Sequence, residues 1–147
     1  MTIQEYGIRW IIYPSLLVIV NDTMAYVFGS LMGSRMLLPR LSPKKTVEGF
    51  VGAGLFTLVV SIPLLHVIMK GAPLSDGHMA RHALILAMFV SLVAPFGGFL
   101  ASAVKRAFYT KDFGTLIPGH GGVLDRVDCH VVTAPFVYLY LRQFWGK

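Results

Sequence analysis

Residues Ser102 to Asp128 read SAVKRAFYTKDFGTLIPGHGGVLDRVD, the most polar stretch of a very apolar chain. It carries Lys105, Arg106, Lys111, Asp112, Asp125, Arg126 and Asp128, seven charged residues in a chain that has only 13 Lys and Arg and 7 Asp and Glu. Apolar segments flank it on both sides, which reads as two membrane helices joined by a polar connection at the bilayer surface. Basic residues collect at cytoplasmic helix ends, which accounts for Lys105 and Arg106. It does not account for three aspartates, nor for Pro118-Gly119-His120-Gly121-Gly122.

The composition agrees with a membrane reading. Hydrophobic residues make up 55% of the chain and charged ones 14%, against roughly 25% charged in soluble domains. Mean hydropathy is +0.67. The 147 residues have room for about four spans of ~20 residues each, with connections. The expected fold is therefore all-α, a polytopic integral membrane protein with about four transmembrane helices around a polar, cytosol-facing cavity, residues 1–147 forming one domain. A net charge of +6 does not point to nucleic acid, because the basic residues sit in loops beside apolar spans; membrane lipids and nucleotide phosphates are the expected partners. The single cysteine, Cys129, permits no internal disulfide. The first apolar stretch runs into Asn21-Asp22 without an Ala-x-Ala-like site, so no cleavable signal is expected.

The first span is expected over Trp10 to Gly33, with Asn21 and Asp22 inside it. An aspartate at membrane depth costs about 2.5–3.5 kcal/mol on insertion scales, so Asp22 should face protein or a wet cavity. Ala25, Gly29 and Gly33 follow along one small-residue stripe suited to close helix packing. After a loop with Arg35 and Arg40, Ser42-Pro43 reads as an N-cap with proline at the first helical position. That places Lys44 and Lys45 in the first turn of a second span ending near Met69, with Glu48 compensating Lys44. Two lysines beside open backbone amides suit a bound anion. Ala83 to Ala101 is a third span, its stripe Ala87, Ser91, Ala94, Gly98, Ser102 leading to Lys105 and Pro95-Phe96-Gly97-Gly98 marking a kink or break. The fourth runs from Val123 to Trp145, with Tyr138, Tyr140 and Trp145 as interface anchors. His66 and His130 read as packed rather than ligating.

As chemistry, the polar stretch supplies a phosphate and metal site. Asp125 and Asp128, three apart at a helix start, share a face and suit one hard cation; Asp22 and Asp112 are weaker candidates. The glycines around His120 let backbone amides converge on an anion, with Lys105, Arg106 and Lys111 as counter-charges. Four spans put residues 34–46 and the polar stretch on one side with eight of 13 basic residues, which the positive-inside rule makes cytosolic. Asp22 is therefore expected to face the same cavity as Asp125 and Asp128, through either a broken first helix or a polar cavity that reaches inward.

Ser102, Lys105-Arg106, Lys111-Asp112, Gly114, Pro118, His120-Gly121-Gly122, Asp125-Arg126 and Asp128 resemble, in type and spacing, the signature of the phosphatidate cytidylyltransferase (CDP-diacylglycerol synthase) family. Asn21-Asp22-x-x-Ala25-Tyr26-x-x-Gly29 and Leu41-Ser42-Pro43-Lys44-Lys45-Thr46-x-Glu48-Gly49 resemble two further blocks of that family, and Ala94 to Phe99 and Cys129 look more like its eukaryotic members. The resemblance implies reaction of CTP with phosphatidate to give CDP-diacylglycerol and pyrophosphate, with Mg2+ and in some members K+. It implies catalytic roles for Asp125, Asp128, Lys105, Arg106 and His120. Phosphate contacts would come from Ser42, Lys44, Lys45, Lys111, Gly121, Gly122 and Arg126. Metal ligands would come from Asp125, Asp128, Asp22 and Asp112. It further implies the carboxyl-terminal catalytic part of a longer architecture, in the endoplasmic reticulum membrane or, alternatively, a bacterial inner membrane, with homo-oligomerisation open. A CTP-dependent lipid or polyprenol kinase, and a non-catalytic membrane subunit or degenerate fragment of the family, are the rival readings.

Overall fold

The computed structural model describes residues 3–39, 42–69, 77–110 and 124–145, with side chains described at 7–39, 45–69, 77–110 and 127–144. Four helices, α1 (Ile3–Met32), α2 (Val47–Ile68), α3 (Gly77–Ala107) and α4 (Leu124–Trp145), alternate in direction, and a hairpin of β1 (Met36–Leu38) and β2 (Ser42–Thr46) joins the first two. The protein is an all-α polytopic membrane protein, the hairpin being the only strand pair among the described residues. Among the described residues three spans are long and apolar enough to cross a bilayer: Gly7–Met32, Val47–Ile68 and Gly77–Ala107. About four were expected. α4 has the length, 22 residues, but Asp125, Arg126, Asp128, His130 and Arg142 interrupt its apolar run.

Each helix holds one proline, Pro14, Pro63, Pro95 or Pro135, and none breaks its helix. Within a bilayer, neighbouring helices and polar side chains re-satisfy the carbonyl that a proline frees, so continuity is tolerated. α3 therefore runs unbroken through Pro95 to Gly98, which excludes the break from the expected kink or break. α1 is likewise continuous through Asn21 and Asp22.

The expected helix start at Ser42-Pro43 is wrong. Residues 42–46 form β2, antiparallel to β1 with Met36 opposite Thr46 and Leu38 opposite Ser42. The N-cap is Thr46, extended at φ −113° and ψ 155°, and its hydroxyl accepts from the Gly49 N–H at 3.2 Å. In a two-stranded hairpin each strand is an edge, so Pro43 has no obligatory ladder bond to lose. Lys44 and Lys45 are consequently strand residues, outside the helix dipole. Glu48, expected to compensate Lys44, accepts through Oε2 the backbone N–H groups of Ser34 and Arg35, each at 3.1 Å; the Lys44 side chain lies outside those described.

α1 and α2 pack backbone to backbone along the small-residue stripe. A Cβ on Gly49 would lie 2.6 Å from the Ala25 carbonyl oxygen and 3.0 Å from Gly29 Cα. The core lies further down the bundle, where Trp10, Tyr13, Leu17, Leu65, Leu86, Ala87 and Val90 are buried. There the Tyr13 hydroxyl sits 3.1 Å from the Ser61 carbonyl oxygen and 3.3 Å from that of Ala83, tying α1 to α2 and α3. α4 docks on α3 through Phe136, stacked on Phe89 at 3.5 Å. Tyr140 belongs to this seam. It is buried with its hydroxyl 2.6 Å from His82 Nδ1, so it is not the interface anchor expected of it; Tyr138 is exposed, and the Trp145 side chain lies outside those described.

α3 ends where its basic pair sits. Tyr109 is left-handed at φ 54°, and the Thr110 and Tyr109 N–H groups bond the Lys105 and Arg106 carbonyls at 2.9 and 3.1 Å, a Schellman-type closure.

The glycine seam yields a measurable consequence. Gly49→Ala forces a methyl against backbone that has no rotamer to yield, an overpacking of about 1–3 kcal/mol. Gly77→Ala meets nothing within 4 Å and is the matched control. Thermal unfolding of the purified chain in detergent should show a lowered midpoint for the first variant alone; equal midpoints would mean that α1 and α2 do not pack this closely.

Candidate active site

At the end of the bundle where α1 stops, the hairpin turns, α3 ends and α4 begins, a cavity of about 330 Å³ opens. Five elements line it. α1 contributes Asn21, Asp22, Ala25 and Tyr26; the hairpin Leu37, Lys45 and Thr46; α2 Phe50; α3 Pro95, Gly98, Phe99 and Ser102; α4 Asp128 and Cys129. Asp22 and Asp128, from opposite ends of the sequence, thus line one cavity, as the cost of an aspartate at membrane depth requires. Of the two routes considered, α1 stays whole and the cavity reaches inward.

The floor is built by Asn21, fully buried, whose Oδ1 accepts from Thr57 Oγ1 at 3.2 Å. This bond fixes the rotation of α1, and Asp22, the next residue, is thereby turned toward α3 and α4. Asp128 sits in the first turns of α4, where the helix dipole favours a carboxylate, and its Oδ1 accepts the Cys129 N–H at 2.7 Å. The Cys129 thiol hydrogen-bonds Asp22, which also lies within the fields of Lys45, Asp128 and His130. His130 packs beside the site, half-buried, with its Nδ1 enclosed and without a hydrogen-bond partner among the described residues.

Lys45 supplies the positive charge. Its ammonium lies 4.6 Å from the Phe99 ring centroid, a cation–π contact that holds it over α3. Gly98 makes the room: a Cβ there would stand 2.8 Å from Lys45 Nζ, 3.6 Å from Cys129 Sγ and 3.7 Å from Asp128 Oδ2. Gly97 lets α4 approach α3, since its Cβ would meet the Asp128 carbonyl oxygen at 2.7 Å and Cys129 Cα at 2.9 Å. Two carboxylates, one ammonium and the hydroxyls of Thr46 and Ser102 therefore share a half-enclosed space, a donor set suited to phosphates and to a hard cation.

Of the residues singled out from sequence, the structure brings together Asp22, Lys45 and Asp128, with Ser102 on the wall. Lys105 and Arg106 follow one helical turn beyond Ser102 and do not line the cavity. Asp125 and Arg126 are in the first turn of α4 and Ser42 and Lys44 in β2, with side chains outside those described. Lys111, Asp112, His120, Gly121 and Gly122 lie outside the described residues altogether. No group of three or more His, Cys, Asp and Glu side chains gathers as a metal cage among the described residues. Sequence reasoning missed Cys129, Phe99, Tyr26 and Phe50 as lining. The small-residue stripe on α3 was a signal for the first two, because the residue beside a helix-contact glycine sits against the opposing helix.

Comparison with known proteins identifies the family. A profile of the cytidylyltransferase family matches residues 1–144. The chain belongs to the cytidylyltransferase family. Among curated relatives, phosphatidate cytidylyltransferase 1 of Arabidopsis thaliana is 39% identical over 178 aligned positions. The phosphatidate cytidylyltransferase of Encephalitozoon cuniculi is 43% identical over 159, and that of Saccharomyces cerevisiae 39% over 181. Each alignment takes in 94% of this chain and 39–42% of the relative, so the chain spans about two fifths of their length. The aligned positions outnumber the 147 residues of the chain, so within the matched region these cytidylyltransferases carry inserted residues that it lacks.

The two neighbouring glycines of α3 make opposite predictions. Gly97→Ala drives a methyl into the α4 backbone and should lower stability by about 1–3 kcal/mol. Gly98→Ala meets the far end of a flexible lysine, which swings aside, so its unfolding midpoint should stay near that of the parent. A destabilisation at Gly98 as large as at Gly97 would contradict this arrangement of Lys45.

Proposed function

We propose that the cavity binds the phosphates of CTP and phosphatidate and that the chain catalyses formation of CDP-diacylglycerol. The observation that carries this reading is the convergence of Asp22, Lys45 and Asp128 on one cavity at the end of a bundle of membrane-spanning length. A water-soluble nucleotide and a lipid phosphate both have access to such a place. The names of the curated relatives and the family match support the same choice.

The chemistry asks little covalent help from protein. A phosphate oxygen of phosphatidate, ionised at neutral pH, attacks the α-phosphorus of CTP; the new P–O–P bond forms as the α–β bond breaks, and pyrophosphate leaves with the electron pair. Positioning and charge neutralisation supply the rate. Lys45 neutralises phosphate oxygens within the cavity, and Lys105 and Arg106 do so one helical turn beyond Ser102. Thr46 offers a hydroxyl donor, whereas the Ser102 hydroxyl already donates to the Gly98 carbonyl at 2.7 Å. The enclosing helices lower the local dielectric, which strengthens each of these interactions.

Magnesium fits the residues present. Mg2+ is commonly held by one or two carboxylates plus substrate phosphates rather than by an all-protein cage, and Asp22 and Asp128 line the cavity as such a pair. Asp125, whose side chain lies outside those described, remains a further candidate ligand from the first turn of α4. Bound there, the ion would polarise the phosphoryl oxygens and neutralise developing charge.

Orientation follows from charge. Arg35, Lys45, Lys105 and Arg106 mark the cavity end and Arg9, Arg81 and Arg142 the other, and with the loop residues of the same sign this favours a cytosolic cavity, in the endoplasmic reticulum given eukaryotic relatives.

The test is label transfer in membranes carrying the full chain. With CTP labelled at the α-phosphate, radioactivity should enter the lipid when phosphatidate is supplied; with label at the γ-phosphate it should leave in pyrophosphate. γ-Label in the lipid would instead make the chain a kinase. Asp22→Asn and Asp128→Asn should each lose transfer by about 100-fold or more while still inserting. Parent-like turnover by either would remove that carboxylate from the site.

A further inference from the structure

Lys45 is delivered to the cavity by a strand, not by a helix, and something must hold that strand. The hairpin leaves α1 at Ser34 and returns at Val47. Its last rung is the Val47 N–H to the Arg35 carbonyl at 2.9 Å. Beside it, a single oxygen of Glu48, Oε2, accepts from both Ser34 and Arg35 at 3.1 Å. Two consecutive amides aimed at one carboxylate oxygen form a small anion nest of the kind found at phosphate sites, here filled by the protein's own side chain. Glu48 does not line the cavity. The hairpin that follows the nest does, through Leu37 on β1 and Lys45 and Thr46 on β2, with Thr46 Oγ1 also 3.0 Å from where a Cβ of Gly29 would be.

We infer that Glu48 is a positioning residue: its carboxylate clasps the Ser34 and Arg35 amides, fixes the hairpin against α1, and so holds the Lys45 ammonium between Gly98 and the Phe99 ring, where it meets substrate phosphate. The inference rests on the proposed reading of Lys45 as a phosphate contact. Without the clasp the two amides turn to water, the hairpin gains freedom, and Lys45 spends less time over the cavity. Misplacement of a binding group by about 1 Å can cost up to ~100-fold in rate, so a loss of roughly 10-fold in affinity is the expected scale.

A double-variant cycle on the purified full chain, read as the dissociation constant for labelled CTP by equilibrium dialysis, tests this. Glu48→Ala should weaken CTP binding roughly 10-fold, and Glu48→Gln, which keeps one carbonyl oxygen for the amides, should restore most of it. In a Lys45→Ala background, Glu48→Ala should add less than about 2-fold, because a residue that acts through another has nothing left to position. An equal factor in both backgrounds would make Glu48 merely structural and overturn the inference while leaving the role of Lys45 intact. Unchanged CTP binding in Lys45→Ala itself would overturn the reading of Lys45, and the inference with it. If Glu48→Ala does not accumulate, the same cycle with Glu48→Gln decides, its smaller effect again expected only where Lys45 is present.

Discussion

A carboxylate inside a bilayer must be enclosed by protein or water, and Asp22 imposes that condition on the whole fold. It stands within the first long apolar helix, where insertion of an aspartate costs about 2.5–3.5 kcal/mol. The structure meets the condition by turning Asp22 inward. The Asn21–Thr57 bond sets the rotation of α1, and the hairpin, α3 and α4 close around what that rotation presents. The same enclosure that makes Asp22 tolerable makes a half-buried polar cavity, so the constraint and the site are one feature.

Close packing then determines which residues reach the cavity. Gly49 brings α2 onto Ala25 and Gly29 of α1, and Gly97 brings α4 onto α3. Where lipid tails are as apolar as leucine, helices associate through close backbone approach and interhelical polar contacts, which small residues permit. The approach of α4 carries Asp128 and Cys129 to Asp22. The absence of a side chain at Gly98 leaves the volume that Lys45 fills. Three glycines thus fix the spacing of two carboxylates and an ammonium.

Much of this was legible in the sequence, for stated reasons. Apolar runs of bilayer length gave the helices, though α4 carries more charge than a span of ordinary composition. Asp22 and Asp128 could be assigned to one cavity because burying a charge alone is costly. The small-residue stripes on α1 and α3 marked their packed faces, since helical spacing is fixed. The hairpin was not legible. Ser42-Pro43 is a strong local helix-start signal, and the pairing that overrides it is with residues 36–38, which no periodicity announces in a three-residue strand. The backbone contacts of Glu48 were not legible for a related reason: they are with amides 13 and 14 residues earlier, and amides leave no trace in side-chain identity. Tyr140 was taken as an interface anchor because aromatic residues near a helix end commonly are; its partner His82 stands on a different helix.

The central claim is that residues 22 and 128 face each other across one cavity inside the bundle. Asp22→Cys and Asp128→Cys, introduced together with Cys129→Ser, can be treated in membranes with a short bifunctional methanethiosulfonate. The chain is then cleaved between the two positions and the fragments examined under non-reducing conditions. The account predicts that the fragments stay joined. Separate fragments, in a preparation where a Tyr13→Cys, Ala83→Cys pair does become joined, would contradict it.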